Sequence, residues 1–181
     1  MSIFRFKQKH EQAGIHYLEA GENFNDLWLS VNEICMYTVN SYELYNRINA
    51  LLEQKANSNI NKLTILVRKK IDETEEDLST LKDIIDFWKK WVEKGRIRKL
   101  TIIGYNYDPD HYYTILGDKV VFSGHVYFDE SKPTKTNISY SPIVFSNDTE
   151  IGRQAIKNFR AHFDNVAQRF EQSLTLVNKT Y

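Results

Sequence analysis

The side chains best suited to chemistry gather at a few points of the chain. These are Asn40-Ser41-Tyr42, Arg68-Lys69-Lys70, Tyr105-Asn106-Tyr107 and the segment Asp108-Pro109-Asp110-His111 that follows directly. Cations, hydroxyls and amides of this kind suit an anionic ligand such as a phosphate. Tyr105, Tyr107, Tyr112 and Tyr113 add rings that could stack on a base, although half-buried strand residues are the commoner meaning of such tyrosines. His16, His125 and His162 stand apart from that group. No two histidines have His-x3-His or His-Glu-x-x-His spacing, so no metal site and no cofactor is expected. His16 and His162 read as packed or flanking residues. His125, in the second strand of a hairpin, draws more interest as a ligand-binding candidate. Cys35 is the single cysteine, which excludes an internal disulfide framework and a cysteine-rich zinc site.

Those residues need elements to position them, and the hydrophobic pattern supplies an order. Ile15 to Ala20 alternates as a strand. Phe24, Leu27, Trp28 and Val31 recur at helical spacing behind Asn23, and Ile34 to Val39 is β-prone. Ser41 can cap a helix that carries Leu44, Ile48, Leu51 and Leu52. Leu63 to Val67 is nearly continuous in apolar, β-branched residues, as a strand buried on both faces requires. A third helix carries Leu78, Leu81, Ile84, Ile85, Trp88 and Trp91 and stops at Gly95; with Trp28, its tryptophans read as core. Leu100 to Tyr105 is the next strand. Tyr112 to Leu116 and Val120 to Phe128 form a hairpin around Gly117-Asp118, Ser131 to Asn137 reads as a loop, and Pro142 to Phe145 as a short strand. The closing helix carries Ile151, Ala155, Phe159, Phe163, Val166 and Phe170 in steps of three or four.

Strands alternating with helices predict a mixed, mainly parallel α/β sheet with helices on both faces, ending in a hairpin and a long helix. Ligands of such sheets bind beyond the carboxyl ends of the parallel strands, where the residues named first would lie. Residues 1–14 read as an N-terminal arm and residues 15–181 as a single domain. The 24 Lys+Arg balance the 24 Asp+Glu, so net charge offers no global attraction to nucleic acid or membrane. Locally, Lys89, Lys90, Lys94, Arg96, Arg98 and Lys99 form a basic run that could meet nucleic acid, though a solvated helix end is the usual meaning of such a run. No apolar run approaches the roughly 18 to 20 residues of a membrane span, and the start lacks the apolar region of a secretory signal. The expectation is a soluble, cytoplasmic domain.

The element order, with HYYTILGDKVVFSGHVYF followed by a strand and a helix ending near RAHFDNVAQRF, resembles the phospholipase D superfamily over residues 15 to 172. Members carry His-x-Lys-x4-Asp-x6-Gly-Ser on a hairpin after a parallel core. Their His attacks phosphorus, their Lys neutralises developing charge, and single-motif members pair two half-sites as dimers. Matched to this motif, His111 takes the nucleophile position and Asp118 stands seven residues later. Tyr113 occupies the Lys position; Gly124 comes one residue early and is followed by His125 in place of Ser. In the register that fits Gly124, Asp110, Tyr112 and Gly117 fall on the His, Lys and Asp positions. Neither register keeps all three catalytic types, and a neutral phenol cannot supply a fixed positive charge to a phosphoryl group.

The resemblance therefore implies a degenerate, self-associating binding or sensing module. Its ligand would be a nucleotide or nucleic acid, bound by Ser41, Arg68, Lys69, Tyr105, Asn106, Tyr113 and His125. Two alternatives stand beside it. One is a homodimeric phosphodiesterase or nuclease using His111 and Asp118, with a cation relocated from Arg68 or Lys69. The other is a plain protein-interaction domain.

Overall fold

The computed structural model describes residues 15–17, 25–39, 48–53, 59–69, 75–128, 136–138 and 143–180. In chain order these give β1 (Ile15–Tyr17), α1 (Asn25–Ser30), β2 (Glu33–Thr38), a helical segment at 48–53, and β3 (Ile60–Arg68). There follow α2 (Glu75–Glu93), β4 (Ile97–Tyr105), the hairpin β5 (His111–Leu116) and β6 (Val120–Phe128), β7 (Thr136–Ile138), β8 (Ile143–Ser146), α3 (Glu150–Leu174) and β9 (Thr175–Thr180). The expected N-terminal arm lies outside the described residues.

The strands run in the order β1-β8-β6-β5-β2-β3-β4-β9, with β7 pairing β6. The class is the mixed α/β one expected, with helices on both faces. Parallel pairing, however, joins only β2 to β3 and β3 to β4; every other pairing is antiparallel. The first strand is the main departure. Instead of joining the parallel set it lies at the far edge, antiparallel to β8 with Ile15 opposite Phe145. Two further strands were not anticipated. β7 overlaps the end of the stretch read as a loop, at Thr136 and Asn137, and pairs with the far end of β6, where Phe128 lies opposite Thr136. β9 follows α3 without a break and covers the edge of β4. Pairing partners offered by the sheet thus outweigh the polar composition of both segments.

Strand alternation divides the core in two. Ile34, Met36, Ile65 and Ile102 face Ile84, Trp88 and Trp91 of α2, while Cys35, Tyr37, Leu66 and Ile103 face Ile156, Phe163, Val166 and Phe170 of α3. Leu81, Ile84, Trp88 and Trp91 of the α2 stripe and Phe163, Val166 and Phe170 of the α3 stripe are core, as is Trp28, whereas Ile151, expected in the α3 stripe, is exposed because it lies in the first turn of the helix, outside the buried face. Both helix ends explain their boundaries. Gly95 sits at a φ of 68°, its N–H bonds to the Val92 carbonyl and that of Arg96 to the Trp91 carbonyl, which closes α2 in a Schellman motif. Thr149 caps α3, its Oγ1 accepting from the Gly152 N–H at 3.1 Å.

Candidate functional site

One row of paired residues organises the carboxyl ends of the parallel strands. Tyr113 lies opposite Tyr37, Tyr37 opposite Leu66 and Leu66 opposite Ile103, all facing α3. Alternation places the residues two positions toward the strand ends, His111, Arg68 and Tyr105, on this same face. The expected convergence at that end is therefore present for these residues. Ser41 lies outside the described residues.

The site is built largely of stacked rings. Tyr37 is flanked by Tyr105 at 4.8 Å and Tyr113 at 5.0 Å between centroids. Its hydroxyl donates to that of Tyr107 at 3.1 Å, and the Tyr105 hydroxyl donates to the Thr38 carbonyl at 2.9 Å. Tyr37, Tyr105 and Tyr113 are buried, and burial pushes each phenol above its usual range, so all three keep their protons. Tyr105 and Tyr113 are not exposed to touch a ligand, contrary to expectation. They support the site from beneath, because the apolar α3 face closes over that row. Tyr107 is the exposed ring of the group.

His162 on α3 completes the cluster. Its Nδ1 lies 2.7 Å from the Tyr113 hydroxyl, and its ring centroid lies 5.6 Å from that of His111. The protonated phenol shares this hydrogen bond as donor or acceptor, according to which ring nitrogen of His162 carries the proton. Burial, and then the neighbouring His111, hold the His162 pKa below the ordinary histidine value against the pull of Asp110, so the ring is neutral at pH 7. His111 in turn donates its Nδ1–H to the Asp110 carboxylate. That hydrogen bond is the main reason Asp110 titrates below its usual range. The other nitrogen of His111, Nε2, has no partner among the described residues, and the side chain is 29% exposed. The result is an imidazole held by a carboxylate and tilted at 48° to a second imidazole.

The remaining expected residues fall around this centre. Arg68 is 8% exposed and its Nε donates to Asp108 at 2.8 Å. Lys69 leaves the strand, its N–H bonded to the Tyr105 carbonyl at 2.7 Å and its Cβ lying over Gly104. Asn106 is exposed at the strand end. His125 is exposed directly across from His111 in the hairpin. Asp118 is the one that the structure does not bring in. It sits in the β5–β6 turn beyond Leu116, at the opposite end of β5 from His111, because the hairpin register is continuous from His111 to Leu116. There it lines an open cleft of about 690 Å³ beside Glu33, Lys62 and Arg160. Among the described residues no three His, Cys, Asp or Glu side chains converge as metal ligands.

Two contributors were missed in the sequence. His162 was read as a flank residue of the helix stripe; a flank facing the end of a sheet is where a helix reaches a strand-end site. Arg160, half a turn earlier, donates to Glu33 at 2.9 Å and to the Gly117 carbonyl at 3.0 Å, fixing α3 over β2 and the hairpin.

Comparison with known proteins is sparse. No protein-family model and no curated protein matches the sequence. Among solved structures, the fold is similar to a phospholipase D family member, Nuc from Salmonella typhimurium. That likeness covers 92% of this chain and 97% of that one, at 10% identity and a TM-score of 0.49. It is a likeness of chain path, and no residue takes a role from it. No described helix is long and apolar enough to cross a membrane.

Proposed function

We propose that the carboxyl end of the parallel strands binds a phosphate-bearing ligand, a nucleotide being the class that fits, without conventional phospholipase D turnover. The observation that carries this reading is the placement of His111 and Arg68 on one sheet face, with His162 of α3 5.6 Å from His111 between ring centroids and the exposed Tyr107 ring at the same strand ends. Imidazole N–H groups of His162 and of doubly protonated His111 can donate to phosphate oxygens, and the Arg68 guanidinium, bonded to Asp108, adds positive potential beside them. Tyr107 offers a stacking face. The position that phospholipase D chemistry fills with an ammonium holds the buried, neutral Tyr113, so no fixed charge lies there to stabilise a transferring phosphoryl group.

Calorimetric titration with inorganic phosphate and with adenosine monophosphate tests this. Saturable binding is expected, weakened about tenfold or more by His111→Ala, a change of about 1.4 kcal/mol. No saturable binding of either compound would sink the reading. Self-association belongs to the same proposal, on the strength of the sequence resemblance, and sedimentation velocity reads it directly.

The Asp110–His111 pair favours a second reading, phosphodiester cleavage. His111 Nε2 would form the P–N bond as the ester P–O bond breaks. The departing oxygen would take its proton from the imidazolium of His162, a minor form at pH 7 that grows as pH falls, and water would then attack phosphorus and release the phosphoryl group from His111. Turnover of bis(p-nitrophenyl) phosphate that disappears in His111→Ala would replace the binding-only reading.

A further inference from the structure

The end of the sheet opposite His111 gathers cations from elements far apart in sequence. In the strand register Lys62 lies opposite Lys99, and Lys99 opposite Thr180 beside Lys179. Lys94 and Arg96 lie in the connection that leads into β4, and Arg98 is within its first turn of chain. The helix dipole of α2 accounts for a cation near its last turn, such as Lys94, whose ammonium lies 4.7 Å over the Trp91 ring. It does not account for Lys62, Arg98, Lys99 or Lys179. Two acids are bonded to the group, Glu33 to Lys62 at 2.6 Å and Glu93 to Lys179 at 3.4 Å. Lys94, Arg98 and Lys99 are exposed and form no ion pair among the described residues. In a chain of zero net charge, this is a local excess.

We infer that this rim of β3, β4 and β9 is a second binding surface, distinct from the strand-end cleft, and that its partner is the phosphate backbone of a nucleic acid. β9 is the last strand of the sheet, so its outer edge presents backbone N–H groups next to the lysines, and Asn178 and Thr180 are exposed there. Phosphate oxygens accept from such donors, which fix position without reading sequence. An anionic bilayer is the poorer partner. The exposed large hydrophobics among the described residues are Tyr107, at the other end, and Ile151, at the start of α3 beside β8 and across the sheet from β9. Among the described residues, no exposed large hydrophobic therefore accompanies the charges into a membrane interface.

Fluorescence anisotropy with labelled single-stranded and duplex oligonucleotides tests the surface, with phosphatidylserine vesicles as a parallel arm. Binding to at least one oligonucleotide is expected, independent of sequence. With about four phosphate contacts its affinity should fall roughly a hundredfold between 50 and 200 mM salt. The combined variant Lys94→Glu, Arg98→Glu and Lys99→Glu should lose binding and flatten the salt dependence. A control with the same charge change on exposed positions away from this rim, Lys82→Glu, Arg153→Glu and Arg169→Glu, should weaken binding far less. Equal losses in the two triple variants, binding to vesicles alone, or no binding in either arm would overturn the assignment.

Discussion

Position 113 decides what the motif can do, because a phenol and an ammonium make opposite demands on the same buried space. Tyr113 fits there with its ring against Tyr37 and Phe159 and its hydroxyl on His162. Tyr113→Lys would bury a charge in that stack, and several kcal/mol of destabilisation is expected in a urea titration. Tyr113→Phe removes only the hydroxyl contact and should cost about 1 kcal/mol. A Tyr113→Lys protein as stable as wild type would show that the position can hold an ammonium. Glu33 tests a second residue-scale balance. Burial acts to raise its pKa, but Lys62 and Arg160 overcome this and hold it below 4.5. A depressed carboxylate pKa stabilises the fold above the unfolded value and loses that contribution as pH falls through the folded one. Glu33→Gln should therefore be less stable than wild type by about 1 kcal/mol at pH 7, with the gap closing below about pH 4. At this scale the sequence made His111 and its neighbours legible, since one local segment carries them. His162 and Arg160 were not, because their partners lie 49 and 127 residues away.

Helices and strands with strong apolar periodicity were readable, and those held by pairing were not. The stripes on α2 and α3 and the β-branched run of β3 each carry their burial in their own composition, so both helix layers and the three parallel strands follow from pattern alone. β9 carries no such signal. Its burial is confined to Val177, and its strand conformation depends on the open edge of β4. The seating of α3 against β8 depends equally on a long-range approach. At Gly152 a Cβ would lie 1.6 Å from the Ser146 carbonyl oxygen, a contact that backbone must move to relieve. Alanine is the better helix former by about 1 kcal/mol, so an isolated helix would gain from the change. In the folded protein Gly152→Ala should instead lose at least 2 kcal/mol, because α3 must lift from the strand that positions its first turns. Denaturant midpoints measure the difference, and a neutral or stabilising effect would mean that the approach is looser than described.

Across the whole molecule, zero net charge conceals a division of labour along the strand direction. One end holds the two imidazoles and Arg68, and the other holds the lysine rim. β4 links the two over nine residues, roughly 26 Å of extended chain. That span exceeds the screening length of about 8 Å at physiological salt, so charges at one end have little direct influence on ligands at the other. The two surfaces should therefore behave as independent sites. Phosphate affinity of the Lys94→Glu, Arg98→Glu, Lys99→Glu protein should stay within about twofold of wild type, and combining it with His111→Ala should give free-energy changes that add within about 0.5 kcal/mol. Isothermal titration of the four proteins with phosphate, followed by oligonucleotide anisotropy on the same samples, completes the cycle. A coupling well beyond that margin would mean that one extended ligand runs along the sheet and engages both ends at once, leaving a single binding surface in place of two.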